Sequence, residues 1–208
     1  MKSQKLAFAV AALFTSVSAV SQTIVGGAPM YEQKNIVENA MNSKDHTTLV
    51  AAVKAADLAA TLQSEGPFTV FAPTNAAFAQ LPAGTVEMLL LPENKAKLAQ
   101  VLTYHVVPGR IDAAALQQRV VEGRGKAWLK TVEGENLTVT SRGGSLMLTD
   151  AKGGTSNITK ADVIQSNGVI HVVDTVVMPA GKSQAAAPRV GRMSFEQQLA
   201  QESRNSGA

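Results

Sequence analysis

Asn167-Gly168-Val169-Ile170-His171-Val172-Val173-Asp174-Thr175-Val176-Val177-Met178-Pro179 is the stretch from which the rest of the chain can be read. Successive strand side chains point to opposite faces, so Val169, His171 and Val173 share one side and Ile170, Val172 and Asp174 the other. Both sides are partly apolar, which predicts a central strand covered on both faces. In that position His171 and Asp174 need hydrogen-bond partners. Asn167-Gly168 carries the dipeptide of a tight hairpin turn, and Pro179 closes the run.

A second stretch, Gly66-Pro67-Phe68-Thr69-Val70-Phe71-Ala72-Pro73-Thr74-Asn75-Ala76-Ala77-Phe78, has related logic. Phe68 to Ala72 is a β-type run that Pro73 stops, and Thr74 or Asn75 can cap a helical turn over 75–79. Upstream, a short helix is predicted from Asn35 to Ala40. Asp45 can cap the next one, with Leu49, Val50 and Val53 on one face, extended by Leu58 and Leu62 and stopped at Gly66-Pro67. Downstream, Gly84 to Leu91 reads as a short helix, and Pro92 suits the first turn of another. There Leu98, Val101, Leu102 and His105 recur at i, i+3, i+4 and i+7, one buried face. Val106-Val107-Pro108-Gly109 reads as a turn, and Asp112 as the cap of a helix through Leu116.

The period then changes. Trp128 to Val132, Leu137 to Thr140, Leu146 to Thr149, Asn157 to Lys160 and Asp162 to Gln165 are short, β-branched and separated mostly by glycine-bearing breaks, a meander of hairpins. Helices first and hairpins second predict an α+β domain: an antiparallel β-sandwich or wedge with several helices packed on it, mostly from the N-terminal half.

The ends differ from the middle. Met1-Lys2-Ser3-Gln4-Lys5, an apolar run and Val17-Ser18-Ala19 have the layout of a bacterial secretory signal peptide cleaved after Ala19, so the expected location is secreted or periplasmic. No later stretch is long and apolar enough to span a bilayer. The expected organisation is a signal peptide at 1–19, a short linker at 20–33, the domain at 34–180 and a flexible tail at 181–208. Within the tail, Ser194-Phe195-Glu196-Gln197 matches a capping box and predicts a short helix over 194–203. There is no cysteine, which removes disulfides, thiolate metal sites and thiol catalysis together. The net charge of +3 resides in Lys2 and Lys5 and in the tail, where Lys182, Arg189, Arg192 and Arg204 outnumber Glu196 and Glu202. The domain between is close to neutral, so nucleic acid is not an expected partner.

The chain is not expected to be an enzyme. The three histidines, His46, His105 and His171, lack the close pairing of zinc motifs. His171 and Asp174 are accompanied by no Gly-x-Ser-x-Gly elbow. Gly143-Gly144 and Gly153-Gly154 sit in β-turn context, unlike phosphate loops. Asn136-Leu137-Thr138 and Asn157-Ile158-Thr159 fit the glycosylation sequon as chance matches, and Glu133 and Glu135 belong to a hairpin tip. No catalytic residue, metal site or cofactor is expected.

The two quoted stretches resemble the two signature boxes of the fasciclin domain family. Between them Tyr104-His105-Val106-Val107-Pro108-Gly109 resembles the family's central tyrosine-histidine element, and all three occur in the family's order. The resemblance covers residues 35–179. It implies a compact module of helices on a β-sandwich that does adhesion work outside the cell without catalysis. In some animal members the tyrosine-histidine element is linked to integrin binding, which carries over here to Tyr104 and His105 alone; Arg124-Gly125-Lys126 lacks the carboxylate of an Arg-Gly-Asp motif. Tyr104, His105, Thr74, Asn75, His171 and Asp174 are the candidate interaction residues or polar anchors tying helices to the sheet. The expected function is an adhesion or envelope- or matrix-contact module whose partner is an unidentified protein or glycan. The alternative is a periplasmic binding protein for a small molecule, lipid or glycan, which requires an apolar cleft of a few hundred cubic ångströms.

Overall fold

A computed structural model describes residues 23–181; the signal peptide expected at 1–19 and the helix expected at 194–203 lie outside the described residues. The described chain opens on a hairpin, β1 (Thr23–Val25) and β2 (Ala28–Met30), paired across Gly26-Gly27. This corrects the linker expected at 20–33. Strands this short are marginal alone, and the hairpin is held because Val25 and Met30 are buried in the main core.

Helix α1 (Ile36–Asn42) begins with a capping box in which Asn35 and Glu38 each bond the other's backbone N–H. The apolar stripe from Leu49 to Leu62 is divided between α2 (Thr47–Ala55) and α3 (Ala59–Gln63), because Asp57 takes a positive φ of 60° and ends the first helix. Asp45 does not cap α2; it lies in a 3-10 turn, Lys44–His46. Strand β3 (Phe68–Pro73) leads into α4 (Asn75–Ala79), whose cap is Thr74. After α5 (Thr85–Leu90), a 3-10 turn at Pro92–Asn94 feeds α6 (Lys95–Tyr104), which buries Leu98, Val101 and Leu102. Val106–Pro108, expected as a turn, is strand β4 paired with β3. Helix α7 (Ala113–Glu122), capped by Asp112, runs beyond Leu116 and so also buries Val120.

The remaining strands are β5 (Lys126–Lys130), β6 (Asn136–Arg142), β7 (Ser145–Thr149), β8 (Thr155–Gln165) and β9 (Gly168–Val173). The two short strands expected at 157–165 are one long β8, bent by register shifts between Ile158 and Val163. The seven-stranded sheet has the order β4-β3-β9-β8-β7-β6-β5. The fold is α+β as predicted, with one departure: β3 and β9 run parallel in an otherwise antiparallel sheet. A parallel pair needs a long crossover, and everything from α4 to β8 supplies it. The chain beyond β5 returns to the opposite edge, where the Val132 N–H donates to the Val106 carbonyl at 2.8 Å. The sheet therefore curls almost into a barrel.

Alternation on β3 and β9 divides the interior in two. Val70, Ala72, Ile170 and Val172 face a core closed by α1, α2, α3 and α6. Phe71 and Val173 face a second core enclosed by the β5–β7 hairpins and by Leu116 and Val120 of α7. All six residues of β9 are buried, as a central strand requires.

Candidate functional site

The two signature segments lie side by side. They pair in register from Phe68 opposite Gly168 to Pro73 opposite Val173, and the Phe68 N–H donates to the Asn167 carbonyl at 3.0 Å. Two glycines make this approach feasible. A Cβ at Gly168 would collide with the Phe68 carbonyl, and one at Gly66, where φ is +56°, would collide with the Asn167 carbonyl. The hairpin turn here is Ser166-Asn167, since Gly168 already pairs with Gln165. Gly168 serves close backbone approach in place of turning the chain.

Tyr104 and His105, at the end of α6, are 0% and 3% exposed. The Tyr104 hydroxyl donates to the Asn136 carbonyl at 3.1 Å and accepts from the Ala151 N–H at 3.2 Å. Burial pushes its pKa up to about 12. His105 Nδ1 lies 2.8 Å from the Val101 carbonyl and Nε2 accepts from the Val177 N–H at 3.2 Å. That pairing fixes the neutral tautomer with the proton on Nδ1, and burial lowers the pKa to about 4. Neither side chain presents a surface for a partner, so the integrin-type contact implied by the resemblance has no exposed atoms at these positions.

His171 is also internal. It stacks on Phe71 with ring centroids 5.5 Å apart. Its Nε2 lies 2.9 Å from the Ile111 carbonyl, and Nδ1 accepts from the Asp162 N–H at 3.3 Å. This too is a neutral imidazole, with its pKa lowered by burial. Asp174 accepts from the Asn157 N–H and side-chain amide, each at 2.8 Å, and from the Ser156 and Thr175 hydroxyls. Partial burial opposes ionisation, yet these donors, Asn157 foremost, hold the carboxyl below its ordinary pKa. His171 and Asp174 do not bond each other; each spends its capacity on backbone and neighbouring polar groups.

Thr74 caps its own helix, accepting from the Ala77 N–H at 3.2 Å. Asn75 caps a different one: its Oδ1 accepts from the Thr48 N–H at 3.0 Å, at the start of α2, and its Nδ2 donates to the Lys44 carbonyl at 2.8 Å. This explains how α2 manages without Asp45. Two further anchors escaped the sequence reading. Asn167 donates to the Leu62 and Ser64 carbonyls and accepts from the Ile36 N–H, joining the ends of α1 and α3 to the β8–β9 turn. Asn39, fully buried on α1, bonds Gln165 of β8 and both backbone groups of Tyr31. The Asn-Gly dipeptide suggested a turn and concealed this second role.

Where α1 and α2 cross β3 there is an apolar cavity bordered by Ile36, Ala40, Leu49, Val53, Val70 and Leu102. It leaves about 40 Å³ in which the centre of a water-sized molecule could move. A neighbouring void of about 20 Å³ shares Ile36, Ala40, Leu49 and Val70 with it. Sites for small organic ligands are typically about 300 Å³ or more. Among the described residues no cluster of three or more His, Cys, Asp or Glu could hold a metal ion. No helix among them is long and apolar enough to cross a membrane.

Comparison with known proteins adds to this geometry. A family model described as "Fasciclin domain" matches residues 44–179. Protein sll1483 of Synechocystis is 51% identical over 156 residues, which is 75% of this chain and 79% of that protein. Immunogenic protein MPB70 of Mycobacterium bovis is 38% identical over 152 residues, 71% of this chain and 70% of that one. Human periostin is 30% identical over 148 residues, 71% of this chain but 16% of that much longer protein. In structure, a FAS1 domain pair from the insect cell adhesion molecule fasciclin I superposes with a TM-score of 0.63 at 16% identity, covering 70% of this chain and 51% of that one.

Proposed function

The chain belongs to the fasciclin domain family, and from that premise we propose that it is a non-enzymatic interaction module working outside the cytoplasm, in adhesion or in contact with the cell envelope or matrix. The observation that carries this reading is the fate of its chemically capable side chains. Tyr104, His105 and His171 are buried and fully engaged with backbone groups. Enzymes concentrate perturbed titratable groups where substrate can reach them. Here these three groups act as rivets inside the fold, leaving the outer surface to do the binding. The small apolar cavity is poor support for the alternative, a carrier of a small molecule or lipid, because only about 40 Å³ is free. The leader-like sequence at 1–19 supports a location beyond the inner membrane.

The test is attachment. Deleting the gene should reduce adhesion of the producing cells to surfaces or to one another, and adding the purified full-length chain should restore it. Cross-linking on intact cells should capture an envelope protein or glycan. Attachment that is unchanged by deletion, with a chain that fractionates in the cytoplasm, would overturn the reading.

A further inference from the structure

The face of the hairpin sheet turned away from α7 is uncovered among the described residues. Along β5 burial alternates: Ala127 and Leu129 enter the core, while Lys126, Trp128 and Lys130 face outward. Trp128 is 64% exposed and is the single tryptophan of the chain. Opposite Lys126, Trp128 and Lys130 on β6 stand Thr140, Thr138 and Asn136. Met147 and Thr149 of β7 continue two of these rows, and Asn157 and Thr155 of β8 end them. Arg142 closes the far end of β6. The outward positions of β5, β6 and β7 thus carry three basic groups, four hydroxyl or amide groups in the central rows and no carboxylate. Asp174 stands only at the distant edge, where Asn157, Ser156 and Thr175 occupy it.

We propose that this face binds an acidic polysaccharide, with Trp128 as the stacking surface and Lys126 and Lys130 as the charge contacts. The inference rests on the interaction-module reading and names its partner class. A pyranose ring has one face of C–H groups that packs on an indole, and its hydroxyls project sideways to meet donors and acceptors such as Thr138, Thr140 and Asn136. Lys126 and Lys130 lie two residues either side of Trp128 along the strand, about 7 Å each way. Their ammonium groups reach carboxylates on the sugars flanking the stacked one. Lysines on an edge strand also deter strand pairing, but that role gives no reason for a largely exposed indole between them. Single-stranded nucleic acid fits less well, because its platforms stack successive bases on several aromatics and this face has one.

Because Trp128 is unique, its fluorescence reports on this face alone. Full-length chain titrated with oligomannuronate should show a saturable change in emission that weakens with added salt. Calorimetry should give affinity at least about ten-fold lower for Trp128→Ala and for the Lys126→Glu/Lys130→Glu double variant, each with the parent's circular dichroism and unfolding midpoint. Unchanged emission, equal affinity for neutral dextran oligomers, or tighter binding of oligothymidylate would each overturn the proposal. Attachment to intact cells separates it from the broader reading. If the parent attaches and Trp128→Ala attaches equally well, this face is wrong and the interaction module stands. If the parent binds oligomannuronate but attaches to no cell, the adhesion role fails and the glycan face stands.

Discussion

On one side of β3 and β9, the ends of several short helices are laid over Val70, Ala72, Ile170 and Val172, and the two apolar voids bordered by Ile36, Leu49 and Val70 lie there. On the other side Phe71, Leu116, Leu129, Leu137, Val139, Leu148 and Val173 are all at or below 1% exposure. The difference follows from how each side is assembled. Helices of five to ten residues are marginal alone and meet the sheet at positions set by caps and polar anchors. Hairpin strands are placed at fixed register, so their inward side chains interdigitate row by row. The loosely filled helical side therefore depends on its hydrogen-bonded anchors, and the sheet side on packing.

The largest test of that contrast is a matched pair of truncations. Leu148→Ala on the sheet side should cost about 4 kcal/mol, since β6, β7 and β8 cannot close around the hole. Leu49→Ala should cost about 2 to 3 kcal/mol, because the short helices can shift into it. Urea unfolding of both variants measures this, and equal losses would mean the helical side is as rigid as the sheet.

Acid probes the seam between the two sides. His105 is neutral in the fold, with a pKa lowered by burial from 6.5 to about 4. The unfolded chain therefore takes up a proton first as pH falls. The stabilising contribution is complete above pH 6.5 and drains away towards pH 4, by about 3 kcal/mol over that window. His171 acts in the same direction. Unfolding free energies measured from pH 7 to 4.5 should fall accordingly, and His105→Gln should flatten part of the slope. A profile without slope would mean these imidazoles are protonated inside the intact fold.

Anchors on the helical side come next. Asn167→Ala leaves the Ile36 N–H and the Leu62 and Ser64 carbonyls without their partner. The expected loss is about 2 to 3 kcal/mol, with hydrogen exchange rising in α1 and α3 before β5 to β7. Uniform acceleration across the molecule would show instead that Asn167 serves global stability.

The position of Asn167 also marks what could be read from the sequence. β9 was legible because apolar residues fill both its faces, and the α6 stripe because its spacing admits one helical face. The parallel pairing of β3 with β9 was not. Turn chemistry fixes register only between neighbours in the chain, and this crossover is far longer than any turn. Local cap rules favoured Asp45 for α2, yet the cap comes from Asn75 across space. The β1–β2 hairpin is not legible although Gly26-Gly27 is a turn signal, because strands of three residues show no periodicity. Lys126, Trp128 and Lys130 were visible as a strand, but which side faced water depended on where α7 settled. The buried fates of Tyr104 and His105 likewise come from tertiary packing, since an aromatic and an imidazole at a helix end could equally have served the surface.

The smallest effect is the most discriminating, because it turns on sign. Val53 borders the larger void, and Val53→Ile adds one methylene beside empty space. If the void is real packing slack, that group is buried without displacing anything, and the variant should be more stable by up to about 0.8 kcal/mol. Val139, at 0% exposure among hairpin side chains, borders neither of the two voids. Val139→Ile must push its neighbours off their rotamers and should destabilise by about 1 kcal/mol or more. Thermal or urea midpoints read both variants. Opposite signs would confirm that the two faces of one central strand pair are filled to different densities. The same sign for both would place the slack elsewhere and remove the physical basis for treating the helical side as the deformable half.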